Sequence, residues 1–79
     1  MSVMTLAALV GHFETSDAAL VMPTDTKMLI VRTLCREYTK GMSTRIRRVV
    51  VRSAVLSLTR QHLDDYADVC RSTLTDDDS

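Results

Sequence analysis

The fold turns on one stretch, STRIRRVVVRSAVLSLTRQHLDDYADVCRSTL, residues 43 to 74. Met42, Val49, Leu56, Leu63 and Cys70 recur every seven residues along it, a spacing that keeps them on one side of a helix. Val51, Val55, Leu58 and Val69 form a second apolar strip on a different side. Neither glycine nor proline interrupts the stretch, so the pattern predicts one long helix. A single packing partner cannot cover both strips. One strip is expected to face the rest of the chain and the other a second copy of it.

Working outward, Gly41 followed by Ser43 and Thr44 reads as a helix stop and then an N-cap. Before it, over roughly 25 to 40, Met28, Val31, Leu34, Cys35 and Tyr38 share one face, while Arg32, Arg36 and Lys40 stack at i, i+4 and i+8 on another. Pro23 and the TDT at 24 to 26 open that helix. A first helix is expected over roughly 2 to 13, with Val3, Leu6, Val10 and Phe13 at helical spacing and no charge. Gly11 and ETSD at 14 to 17 end it, and a short helical turn around DAALVM follows. At the far end TDDDS, residues 75 to 79, has no apolar side chain to bury and is expected to be a disordered acidic tail. The fold class is therefore all-α: a small bundle of about three helices in one domain over 1 to 74, with a long C-terminal helix, paired as an antiparallel homodimer.

Seventy-nine residues allow one domain with a small core, which disulfides, metal or self-association usually supplement. Cys35 and Cys70 are too few for a disulfide framework and read as reduced and buried. The N-terminal run MSVMTLAALVGHF has no basic residue ahead of it and is shorter than the ~20 residues that span a bilayer. It reads as folded protein, and a cytoplasmic location without membrane association is the expectation.

The net charge of zero conceals a segregated chain. From Lys27 to Arg60 nine basic residues stand against Glu37, a net of +8; residues 1 to 26 carry −3 and residues 61 to 79 carry −5. A single helix over 43 to 74 would thus hold Arg at its N-terminal end and Asp at its C-terminal end, which opposes the macrodipole. An antiparallel copy of the same helix resolves this. Crossing at Leu56, it sets Arg48 opposite Asp64, Arg47 opposite Asp65 and Val49 opposite Leu63, so apolar and ionic pairing agree on one register.

Arg32, Arg36, Lys40, Arg45, Arg52 and Arg60 are left over, and they form a candidate surface for phosphates. Arginine outnumbers lysine eight to two, which suits bidentate contact with phosphate oxygens. Phe13, Tyr38 and Tyr66 are too few for a base-stacking platform, and Gln61 is the one amide available to read a major groove. Backbone and shape recognition of a duplex remains, with Ser43, Thr44, Ser53 and Thr59 as further donors.

In plan, a short all-helical dimer with a long arginine-bearing helix and an acidic end, the stretch from about 25 to 74 resembles the nodavirus-type double-stranded-RNA-binding suppressors of RNA silencing. The resemblance implies a viral accessory protein that sequesters duplex RNA along paired helices, with no cofactor. It transfers no site residue.

Other readings compete. The basic helix can instead dock on an acidic or apolar groove of a protein partner, with Val51, Val55 and Leu58 as the contact. A basic amphipathic helix also suits anionic lipid, though no Trp or Phe anchors residues 43 to 60. Enzymatic activity is not expected, because His12 and His62 have no nucleophile or carboxylate at a telling spacing. His12, Cys35, His62 and Cys70 are zinc-ligand types without zinc-site spacing, so no metal is expected.

Overall fold

The computed structural model describes residues 4–78, with side chains from 4 to 75. All regular elements among them are helical. The first, α1 (Leu6–Glu14), begins where Thr5 accepts a hydrogen bond from the Ala8 amide at 3.1 Å. Gly11 lies inside it, and the helix runs on to Glu14; Val3 lies outside the described residues. The short α2 (Asp17–Leu20) is capped by Ser16. Helix α3 (Thr24–Thr39) starts after Pro23 and stops at Lys40, with Gly41 at a φ of 85°. Ser43 caps α4 (Thr44–Arg60), accepting from the Ile46 amide at 3.3 Å.

The long C-terminal helix is not continuous. After Arg60 the chain turns back, and α5 (Asp64–Asp78) packs along α4 as the second arm of a hairpin. The turn is a Schellman motif. The His62 amide donates to the Thr59 carbonyl at 3.1 Å, the Leu63 amide to the Leu58 carbonyl at 2.9 Å, and His62 takes a left-handed φ of 62°. Asp64 and Asp65 therefore occupy the first turn of α5, and Arg60 the last turn of α4. Both placements favour the helix dipoles, by ~0.3 to 1 kcal/mol for each charge. The turn thus relieves the opposed dipole expected for one long helix at residues 60 to 65, while Arg45 in the first turn of α4 still opposes it.

This turn also sorts the two apolar strips. Val51, Val55 and Leu58 are buried, and Val69 packs partly buried against the same core. The seven-residue series is cut in two: Cys70 is buried and Leu63 partly so, while Val49 and Leu56 are 65% and 57% exposed. The register that paired Arg48 with Asp64, Arg47 with Asp65 and Val49 with Leu63 across Leu56 assumed an unbroken helix from 42 to 70. That assumption fails at His62. Helical backbone also takes in residues 75 to 78, where an unstructured tail was expected; Ser79 lies outside the described residues.

The core is one cluster drawn from four helices: Leu6 and Val10 of α1, Val31 and Cys35 of α3, Val51, Ala54 and Leu58 of α4, Ala67 and Cys70 of α5. α5 packs on both α4 and α3, and α1 packs on both α3 and α4. α3 and α4 touch little beyond the turn that joins them, so they lie diagonally across the bundle. Their solvent faces consequently point in different directions.

Candidate nucleic-acid interface

That diagonal divides the six basic residues assigned to one surface. Arg36 and Lys40 sit in the last turns of α3, and Arg45 in the first turn of α4, close to the connecting residues 40 to 43. Arg32 lies farther back on α3. Arg52 and Arg60 lie along α4, with Arg60 about 22 Å from Arg45 at 1.5 Å per residue. No single face holds all six.

The structure brings together a different set. Arg36, Glu37, Thr39, Lys40, Gly41 and Arg47 line an open hollow of about 320 Å³ where α3 gives way to α4. Arg45 and Arg48, both exposed, occupy the adjoining first turns of α4. Three basic side chains thus line the hollow and two more stand beside it, and among the described residues Glu37 is the one carboxylate in its lining. Gly41 makes the corner possible, since its φ of 85° is one that residues with a Cβ rarely adopt. Arg47 and Arg48 belong to this corner, about 18 to 20 Å along α4 from the turn that precedes Asp64 and Asp65. The sequence pattern assigns Arg47 and Arg48 to a dimer seam, opposite Asp65 and Asp64, and not to this surface.

α4 carries five arginines and no carboxylate over seventeen residues. Among the described residues no ion pair engages Lys40, Arg45, Arg52 or Arg60, whereas exposed Arg71 is bound to Asp68 at 2.9 Å. Ser43 is occupied as the α4 cap, and the Thr59 hydroxyl donates to the Val55 carbonyl at 2.8 Å. Thr44 and Ser53 remain exposed.

The aromatic side chains serve the core. Phe13 and Tyr38 pack against it, the Tyr38 hydroxyl donating to the Met4 carbonyl at 3.0 Å. Tyr66 is buried and its hydroxyl donates to the Glu14 carboxylate. Burial first, and then that bond to Glu14, push the Tyr66 hydroxyl's pKa well above its ordinary value.

Cys35 and Cys70 are free and fully buried. The Cys35 sulfur lies 3.3 Å from the Thr73 hydroxyl and 4.0 Å from the Cys70 carbonyl. A hydrogen bond with Cys35, followed by burial, raises the Cys70 thiol far above the usual range. His12 and His62 are both exposed. Among the described residues no group of His, Cys, Asp or Glu is arranged to hold a metal ion, and no helix is long and apolar enough to cross a membrane. Compared with family models, curated proteins and solved structures, the chain has no match.

Proposed function

We propose that this chain is a non-enzymatic protein that binds the phosphate backbone of duplex nucleic acid, double-stranded RNA foremost, at the α3–α4 corner. One observation carries the reading: Arg36, Lys40 and Arg47 line a polar hollow at this corner, and Arg45 and Arg48 stand exposed on the adjoining turns of α4. Guanidinium groups at that density suit bidentate contact with phosphates on neighbouring residues of a strand. With every aromatic side chain committed to the core, recognition falls to backbone and shape, as it does for A-form duplexes. The consequence is sequestration of the duplex without chemistry.

A second reading has its own observation. Ile46, Val49 and Leu56 lie more than half exposed along α4, as they would on a helix that docks a protein partner. Salt separates the two. Phosphate binding weakens steeply with salt, and an apolar contact hardly responds.

The test is fluorescence anisotropy with a 20-base-pair RNA duplex, the matching DNA duplex and a single strand, from 50 to 200 mM salt. About four phosphate contacts give a slope of about −3.5 in log K against log salt. The Lys40→Ala/Arg45→Ala variant should bind at least ten-fold more weakly, with a slope shallower by about 2. Unchanged affinity in that variant, or no duplex binding at 50 mM salt, overturns the reading.

A further inference from the structure

Outside the corner, α4 and α5 enclose an outward groove of about 360 Å³, floored by Val51 and Val55 and walled by Arg52, Leu56, Arg71 and Leu74. Leu56 stands over half exposed on its wall. At 100° per residue Arg45, Val49, Arg52, Leu56 and Arg60 share the solvent face of α4, opposite buried Leu58. On α5, Asp64 and Asp68 run along the edge that Arg71 shares, and Arg71 and Asp68 are ion-paired at 2.9 Å. One molecule therefore presents, side by side, an aliphatic and basic ridge and an acidic one.

Such a surface complements itself. We propose that the α4–α5 groove docks a second copy of this chain, with a twofold axis running along the hairpin so that α4 of each copy lies over α5 of the other. The charges select this axis. A twofold across the hairpin would stack α4 on α4, bringing Arg45 near Arg60 of the other copy. The axis along the hairpin instead repeats between copies the register within one: Arg60 falls over Asp64, Leu56 over Asp68, and Arg52 one turn from Asp68. Leu56 then lies at the rim of the other copy's groove, beside the Asp68–Arg71 pair. Because this axis preserves the hairpin's direction, the two basic corners end up at the same end of the dimer.

A face about 22 Å long and two helices wide covers roughly 450 Å² per copy. The total, about 900 Å², is below the ~1,200 Å² at which stable specific interfaces begin, so the dimer is a weak one. The inference can fail independently of the nucleic-acid reading, because its test uses no nucleic acid and the groove includes neither Lys40 nor Arg45, although Arg45 borders the covered face.

Sedimentation equilibrium from 5 µM to 1 mM, without nucleic acid, tests it. The native chain should pass from monomer to dimer, and Leu56→Glu should stay monomeric with its helical circular dichroism intact. Arg60→Glu and Asp64→Arg should each weaken self-association at least ten-fold. Mixed in equal amounts, these two variants should associate again, because the two reversed charges then face each other at one contact and native Arg60 faces native Asp64 at the other. A native chain that stays monomeric at 1 mM, a Leu56→Glu dimer, or a mixture no tighter than its parts overturns the proposal.

Discussion

The Leu63 amide donates to the Leu58 carbonyl at 2.9 Å, and between them His62 holds a φ of 62°. This bond turns a run of helix-forming residues into a hairpin. It sets Leu58 wholly inside the core and leaves Leu56, two residues earlier, outside.

A residue with a Cβ pays roughly 1 to 2 kcal/mol to sit in the left-handed region. Replacing His62 with glycine relieves that cost, less ~0.5 to 1 kcal/mol of added chain entropy. Urea unfolding of His62→Gly should show a gain of about 0.5 to 1 kcal/mol. Gly41→Ala should move the other way by about 1 kcal/mol, since a Cβ there meets open space and only its φ of 85° is at stake.

The hairpin makes Leu58 and Leu56 sharply unequal. Leu58→Ala empties a fully buried site and should cost about 2 to 5 kcal/mol. Leu56→Ala, measured at low micromolar concentration, should stay within about 0.5 kcal/mol of the native chain. Similar losses for both would contradict the turn at His62.

Much of this was legible beforehand. Pro23, Gly41 and Ser43 marked the ends of α3 and the start of α4 because each acts locally, through a fixed ring, a left-handed φ or a cap. The turn at His62 escaped because a residue other than glycine seldom takes a left-handed φ and the seven-residue apolar series ran straight through it. Its signal was present as electrostatics: Arg60 followed by Asp64 and Asp65 is the charge order of one helix ending and another beginning. The basic corner depended on where α3 and α4 diverge, which no residue pattern encodes. Arg32 and Arg60 thus joined a surface that they do not share.

Alkaline stability follows from two buried groups. In the unfolded chain the Cys70 thiol and Tyr66 hydroxyl ionise near 9 and 10, and folding raises both. Above those values the unfolded state holds fewer protons than the folded one, so stability falls as pH rises, by at most ~1.4 kcal/mol per pH unit for each group. Thermal unfolding should be insensitive to these groups below about pH 8 and decline above it. Tyr66→Phe should remove the part of the decline that begins near pH 10, and should cost about 1 kcal/mol at neutral pH through the lost bond to Glu14.

Thiol chemistry should report opening of the core. With Cys35 and Cys70 wholly buried, Ellman's reagent should modify the folded protein only as fast as it opens, and both thiols at once in denaturant. Equimolar zinc should leave the unfolding midpoint unmoved, because the exposed histidines stand apart from the thiols. Rapid labelling under native conditions would place at least one thiol at the surface.

The three-residue link between α4 and α5 also bears on the order of assembly. Closing so short a connection costs little chain entropy, and the two arms it joins make the most extensive helix pairing in the molecule. We expect the α4–α5 hairpin to nucleate folding, with α3 and then α1 condensing onto it. Leu58→Ala should therefore slow refolding, whereas Val10→Ala, in the helix that docks last, should chiefly hasten unfolding.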